Sequence, residues 1–450
     1  MAYIDDDPQL SKSVIDGRKV YNRKQIGKII AKYEIKNILL AIPSSSRREQ
    51  AEIFSFLKQF DVEVLTVPSL HELASGLATV DQLRVPKVTE ILNRSVVDFL
   101  DDKAQKDISG NRLLITGAGG SIGSELARQI LLAKPESLVL YENSELALYT
   151  IERELQTLNE SHNTNVSLHA VLGSVGDSQR LTGVFEKYQP QIVFHAAAYK
   201  HVPIVEANVL EGIRNNVIGT KTVAETSALM GVKSFVMIST DKAVRPTNVM
   251  GASKRLAEII CQDLQEQYPE TIFSMVRFGN VLASSGSVIP VFNEQIKNGG
   301  PVTVTHPKIT RYFMTIPEAA QLVIQASMMA DGGDLFVLDM GQPVKVEDMA
   351  RNMIRLSGLE VKDDDNPDGD IEIIYTGLRP GEKLYEELLI DATATKTSHH
   401  KIMRAHEKHL SGKGLQKVLD SLMNAIVENN VANARQTLSR VVEGYRPKNN

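Results

Sequence analysis

A short apolar run, RLLIT at 112–116, passes straight into TGAGGSIGSELARQI, which has glycines at 117, 120 and 123. Glycine reaches backbone conformations closed to other residues, so this spacing between an extended run and a helical one dictates a tight strand-to-helix turn. The pattern then repeats. Apolar stretches at 112–116, 137–142, 166–171, 191–195, 234–239 and 272–277 alternate with segments of helical periodicity. Parallel strands need long crossovers, and helices supply them. The expected fold class is therefore α/β, with a doubly wound parallel sheet. Ligands of such sheets bind beyond the carboxyl ends of the strands.

The rest of the chain divides around that series. Residues 1–100 read as a small α/β unit. IKNILLAIP ends at Pro43 and reads as a buried parallel strand. SSSRREQAEIFSFLKQFD has helical spacing at Ile53, Phe54 and Leu57, and VEVLTVP is a further strand. The polar stretch 101–111 is the expected linker. From about 280 the rhythm loosens into turn-rich pieces, the expected smaller substrate lobe over the sheet edge. Residues 411–450 form a C-terminal segment, helical over 412–443, with Leu415, Val418, Leu419, Leu422 and Ile426 on one face.

Composition excludes several classes. A formal charge of −5 argues against binding nucleic acid by bulk electrostatics. The single cysteine, Cys261, permits neither a disulfide framework nor a cysteine zinc site, and no metal is expected. No apolar run approaches the ~18 residues of a membrane helix. MAYIDDDPQL lacks the basic and apolar regions of a signal peptide, so a soluble cytoplasmic chain is expected.

The glycine turn supplies a place for a dinucleotide. Gly117, Gly120 and Gly123 let the backbone approach a pyrophosphate. Ser121, Ile122 and Gly123 open the helix, whose free N–H groups and dipole favour phosphates. Glu142 closes SLVLYE about twenty residues beyond the last glycine, the spacing of an acid that holds adenosine ribose hydroxyls. A carboxylate there repels a 2′-phosphate, and ENSELA brings no nearby arginine. The cofactor expected is NAD in a Rossmann site. Ser174 and Val175 in VLGSVGD are expected at the adenine, and Ala196 and Ala197 in VFHAAAYKHVP are small enough for a cofactor to lie against.

STDKAVRPTNVMGASKR, residues 239–255, follows the fifth strand. It places Thr240, Asp241 and Lys242 at that strand's carboxyl end. An adjacent acid and amine at this mouth suits proton transfer, although the same pair on a surface is an ordinary ion pair. Met250 and Lys254 share a helix face at i and i+4. Many nicotinamide enzymes place an acid/base tyrosine four residues before such a lysine. Here that position is methionine, whose thioether cannot trade protons.

TGAGGSIGSELARQI, HAAAYKHVP, STDKAVRPTNVMGASKR, RFGNVLASSGSVIP, THPKITRYFMTIPEA and TGLRPGEKLYEELL, in this order, resemble the nucleotide-sugar 4,6-dehydratases of bacterial polysaccharide biosynthesis, extended short-chain dehydrogenase/reductases. The resemblance covers residues 105–410 and implies a UDP-N-acetylglucosamine 4,6-dehydratase. It implies that Asp241 is the acid at the C6 hydroxyl and Lys242 the base at C5, the latter needing a lowered pKa. It implies that Thr240 holds the C4 oxygen, Lys254 orients the nicotinamide ribose, and Met250 marks members that retain configuration at C5. Lys200, Asn280, Arg311, Arg379 and Glu382 are implied substrate contacts for a UDP-sugar. Lys308 stands where an acid is common and is read as peripheral.

Residues 1–100 resemble the nucleotide-binding-like domain that links membrane helices to the catalytic domain in large members. A truncated chain, from a parent anchored at the cytoplasmic face of the inner membrane, is the expectation, and a homo-oligomer is a further one. A UDP-sugar epimerase and a catalytically silent nucleotide binder are the alternatives. The first needs no elimination, and the second no Asp241–Lys242 chemistry.

Overall fold

The computed structural model describes residues 2–6, 10, 13–15, 17–33, 35, 37–41, 53, 56, 57, 60 and 62–66, and then 102–282, 284, 286–389 and 394–446. The chain divides into two compact units. One comprises Met1–Ser95, Val291–Val304 and Glu347–Ile374, the other Val96–Pro290, Thr305–Val346 and Tyr375–Asn450.

In the first unit, strands Tyr3–Ile4, Arg18–Tyr21 and Val14–Ile15 form one small sheet, with Arg18–Tyr21 central. Strands Asn37–Leu40 and Glu63–Thr66 pair in parallel, and Ile26, Leu57 and Val64 form a core. The first of these strands matches the run read from IKNILLAIP, but Leu39 is 48% exposed. The helix expected over SSSRREQAEIFSFLKQFD falls mostly outside the described residues. Strand Ile371–Tyr375 lies between Val302–Val304 and Val361–Lys362 in a further sheet.

The second unit is built on one nine-stranded sheet. Its elements are β1 (Arg112–Thr116), α1 (Ser121–Leu132), β2 (Ser137–Glu142), α2 (Glu145–Ser161), β3 (Ser167–Leu172), α3 (Ser178–Tyr188), β4 (Ile192–His195), α4 (Thr220–Leu229), β5 (Ser234–Ile238), α5 (Val249–Gln267), β6 (Ile272–Arg277), α6 (Ile316–Ser327), β7 (Asp334–Leu338), β8 (Thr395–Lys396), β9 (Ile402–Ala405), α7 (Gly412–Val427) and α8 (Val431–Val441). The strand order is β8-β9-β7-β6-β5-β4-β1-β2-β3. Strands β1 to β7 are parallel, while β9 runs antiparallel to β7 and β8 antiparallel to β9. The order reverses between β1 and β4, which opens a crevice at the carboxyl ends of those strands.

Alternation along each strand feeds two cores. Leu114, Val139, Val193, Phe235 and Phe273 pack on one face. Leu113, Leu138, Ile192, Val236 and Val276 pack on the other. Both faces are covered by helices, so the strands read as continuous apolar runs. The six strands fall within one residue of their expected limits.

Three segments depart from expectation. The polar linker expected at 101–111 contains a helix, Asp102–Ile108. Ala104 and Ile108, four residues apart on it, are buried. The segment from 280 is no continuous lobe, because β7 and β9 return to the main sheet. Pieces left outside it pair locally, Asn280–Val281 with Phe313–Met314 and Thr310–Arg311 with Val344–Lys345. The helical stretch at 412–443 is two helices, broken where Asn429 adopts a left-handed φ of 53°. Leu415, Leu419, Leu422 and Ile426 are buried and Val418 is half-buried.

Candidate active site

The turn from β1 to α1 requires its glycines. Gly117 has a φ of +66°, and a Cβ there would stand 2.8 Å from the Ala197 nitrogen. A Cβ on Gly123 would lie 2.0 Å from the Gly117 carbonyl oxygen. Gly120 is the N-cap of α1, and no side chain caps that helix end. Ser121 and Ile122 follow in its first turn, and both line the groove. The backbone therefore crowds against Ala196 and Ala197 and leaves a bare helix terminus facing outward, a fit for a pyrophosphate.

Glu142 is buried at the end of β2. One carboxylate oxygen accepts from the Gly119 N–H at 3.0 Å, and the other from the N–H groups of Asn143 and Ser144 at 2.9 and 3.0 Å. Gly119 was not singled out by the spacing, yet a Cβ on it would meet the Ala147 Cβ at 2.5 Å. A cavity of about 220 Å³ joins Gly117, Glu142, Gly173, Val175, Ala196 and Ala197. Ser174 is not among its lining residues. Its hydroxyl accepts from the Gly176 N–H at 3.2 Å, while its carbonyl holds the Tyr141 hydroxyl at 2.8 Å.

A larger cavity of about 540 Å³ continues from Gly120 and Ile122 past Ala196 and Lys200 to Thr240, Lys242, Met250, Lys254 and Asn280. Lys254 is 4% exposed. Burial pushes its pKa down to about 8, against the opposing charge of Glu258. Met250, one turn earlier on α5, is also buried. Asn248 caps α5 by accepting from the Gly251 N–H at 2.8 Å. Asn216 is buried in a π-helical turn over Arg214–Gly219. It brackets Tyr199 through that residue's N–H and carbonyl, and donates to Ser253 on α5 at 3.0 Å.

The chain turns sharply just past β5. Thr240 donates to Asp241 Oδ1 at 2.9 Å, and Lys242 Nζ donates to the same oxygen at 3.0 Å. The 3-10 turn at Asp241–Ala243 resolves the alternation problem, since a straight strand would send neighbouring side chains to opposite faces. Asp241 is fully buried and its Oδ2 has no protein partner. Lys242 Nζ also donates to Asn280 Oδ1 at 3.3 Å and lies 3.7 Å from Glu386 Oε1.

The charge state of Lys242 differs from expectation. Burial by itself lowers the ammonium, but the carboxylates of Asp241 and Glu386 outweigh burial and the Arg311 charge, and hold its pKa above the usual lysine value. Lys242 therefore lacks the lowered pKa expected of a base.

A third cavity of about 260 Å³ brings Lys200, Lys242, Asn280, Arg311, Arg379 and Glu382 together, with Lys383 and Glu386. Arg311 Nη2 donates to Glu382 Oε1 at 3.1 Å, and Glu382 Oε2 accepts from the Arg379 N–H at 3.1 Å. Burial lowers the pKa of Lys200. Lys308 is exposed. The loop holding Glu386 is tied to the segment that follows the Asp241–Ala243 turn. Lys383 Nζ donates to the Val244 carbonyl at 2.8 Å, and Thr247 Oγ1 to the Gly381 carbonyl at 2.7 Å. Glu386 was missed because EKLYEELL shows a run of acids with no spacing that marks one of them.

His195, in VFHAAAY, bridges Thr116 and Thr220 through its two ring nitrogens at 2.7 and 2.9 Å. Burial pushes its pKa down to about 3, so it is neutral and structural. Among the described residues, no group of three or more His, Cys, Asp or Glu side chains is placed to hold a metal, and no helix is long and apolar enough to cross a membrane.

A doubly wound sheet with a glycine turn at its switch point, a strand-end acid and a lysine-bearing helix defines a dinucleotide-binding enzyme of the extended short-chain dehydrogenase/reductase type. Residues 113–407 match the family described as polysaccharide biosynthesis protein, and the chain belongs to that family. It is 43% identical to the capsular polysaccharide biosynthesis protein CapD of Staphylococcus aureus over 94% of this chain and 69% of that protein. It is 45% identical to the probable polysaccharide biosynthesis protein EpsC of Bacillus subtilis over 86% of this chain and 63% of that one. The chain thus spans about two thirds of these relatives. Among solved structures, Pen from Bacillus thuringiensis is similar at a TM-score of 0.55 and 33% identity, over 62% of this chain and 84% of that one.

Proposed function

We propose that this chain is an NAD-dependent UDP-N-acetylglucosamine 4,6-dehydratase that retains configuration at C5 and forms a UDP-4-keto-6-deoxy sugar for surface polysaccharide or glycan biosynthesis. The observation that carries the reading is the bonded Asp241–Lys242 pair, 3.0 Å apart, in the groove that also holds the glycine turn and Lys254. Removing water across C5 and C6 needs a base and an acid side by side, whereas epimerisation at C4 needs no proton transfer at C5.

NAD, when bound, would supply the hydride acceptor for C4 and the hydride donor for C6. Lys254 orients the nicotinamide ribose, and Met250 packs beside the ring without exchanging protons. Thr240 holds the C4 oxygen. Asp241 takes the C4 hydroxyl proton and later gives it to the C6 hydroxyl, which leaves as water. Lys242 takes the C5 proton and returns it to the same carbon once C6 is reduced. Every proton removed is returned, so both side chains end as they began. That cycle starts from a carboxylate and a free amine, so the Lys242 ammonium must first lose a proton. Arg311 and Arg379 suit a diphosphate, whose oxygens a guanidinium binds two at a time. Lys200, Asn280 and Glu382 complete the nucleotide-sugar contacts.

The test is product analysis after incubation with UDP-N-acetylglucosamine in deuterated water. Mass spectrometry reports loss of one water, and NMR reports the C5 configuration. A product of unchanged mass with a new stereocentre makes the enzyme an epimerase, and tight NAD with no turnover makes it a silent binder. Asp241→Asn and Lys242→Met should each abolish water loss. Product formation surviving either change overturns the assignment.

A further inference from the structure

Glu386 is a charged residue of the site that neither motif spacing nor the reaction cycle accounts for. Its side chain is 4% exposed. It enters from the loop after residue 375, over a hundred positions from Lys242, and its Oε1 faces two cations. Lys242 Nζ lies at 3.7 Å and Arg311 Nε at 3.8 Å. Its Oε2 is enclosed and has no protein partner. A buried carboxylate in a water-poor cleft is costly unless cations face it, and its field acts strongly on them.

We infer that Glu386 is a positioning residue that holds Lys242 as an ammonium between two carboxylates and thereby sets the pH at which Lys242 becomes a free amine. This rests on the reading of Lys242 as the C5 base. The charged groups around Lys242 are few. Asp241 accepts from Nζ at 3.0 Å, Glu386 Oε1 lies 3.7 Å from it, and Arg311 Nε lies 3.8 Å from the same Glu386 oxygen. Beyond Arg311 comes Glu382, and Lys200, His201, Arg379 and Lys383 line the same cavity. Asp241 belongs to the proton cycle and changes charge within it. Glu386 does not, so it supplies the constant part of the field on Nζ. Glu382 is spent on Arg311 at 3.1 Å and contributes little to Lys242 directly.

The sign follows from charge. Removing an anion near an ammonium favours the amine, so Lys242 loses its proton at lower pH in Glu386→Gln. The freed Arg311 charge pushes the same way. A single opposite charge at this range is worth about one pH unit or more. Two readouts separate this inference from the dehydratase reading. Labelling of Lys242 by acetic anhydride, followed by mass spectrometry across pH, measures its titration with no substrate present. The pH profile of kcat for water loss measures it during turnover.

In Glu386→Gln the labelling midpoint and the acid limb of kcat should both move down by about one unit or more. In Glu386→Asp, which keeps the charge on a shorter arm, both should shift less. Should Glu386→Gln not fold, Glu386→Ala removes the same charge and should give the same downward shift. An unchanged labelling midpoint in a folded Glu386→Gln or Glu386→Ala overturns the inference, even where thermal stability falls. A shifted midpoint in a protein that never dehydrates UDP-N-acetylglucosamine sustains the role of Glu386 and overturns the proposed function.

Discussion

Lys254 shows how a binding site is kept at the expense of stability. Its ammonium is enclosed by α5 and the sheet, and burial pushes its pKa down to about 8 from an ordinary 10.5. A lysine with a depressed folded pKa penalises the fold wherever it must stay charged. The penalty is full below about pH 8 and is relieved as pH rises toward the unfolded value. A difference of this size corresponds to about 3 kcal/mol. Lys254→Met is therefore expected to unfold at higher urea concentration than the parent at pH 7, with the gap closing by pH 10, while losing NAD affinity and turnover. A variant less stable than the parent at pH 7 contradicts this account of the burial.

The element that positions the chemistry is α5, and both its N-terminal N–H groups and its flank are held from afar. Asn248 caps it locally. Glu206 accepts from the Val249 N–H at 2.6 Å and pairs with Arg435 on α8 at 2.8 Å. Arg435 donates as well to the Glu206 carbonyl at 3.3 Å. The C-terminal helix thus braces the helix that carries Met250 and Lys254. The pair is partly exposed, so Arg435→Ala should destabilise by only about 1 kcal/mol. The larger expected effect is a fall in kcat, as the start of α5 loosens. Urea titration together with steady-state kinetics checks both. An equal stability loss with unchanged kcat would show that the brace serves folding alone.

At the scale of the whole catalytic unit, β5, β6, α5 and the 407 region meet in one buried ionic cluster. Arg277 and Glu258 are fully buried. Arg277 donates to both oxygens of Glu258 at 2.7 and 2.6 Å and to Glu407 at 2.6 and 2.8 Å. Arg255 reaches Glu258 at 3.0 Å and Glu407 at 3.2 Å. Ser239, next to Thr240, donates to Glu258. Such clusters add little net stability when intact, but removing one partner leaves a buried charge. Arg277→Ala should cost about 3–5 kcal/mol, read from its denaturation midpoint. Burial alone would raise Glu258, and Arg277 outweighs it, so its pKa is held low. That contribution is present above the ordinary glutamate range and is lost as pH falls through the folded value. An acid titration of stability should show the parent losing this contribution below that range.

What the sequence by itself determined is what lies close along the chain. Strand and helix periodicity, the glycine turn, Glu142 at the end of β2, and the neighbours Asp241 and Lys242 are all local patterns, and local sterics and burial decide them. β7 escaped notice although α6 precedes it and the helix Val346–Leu356 follows, because DGGDLFVLDMG sets its five residues between glycines that read as turns, and the antiparallel β9 and edge strand β8 lie outside the βα rhythm. Only the tertiary structure decided the charge on Lys242, the arrival of Glu386 beside it, and the brace from Arg435 to α5. Each depends on through-space distances of a few ångströms between residues far apart in the chain. Coulomb energy and desolvation follow those distances, and the order of the residues does not encode them.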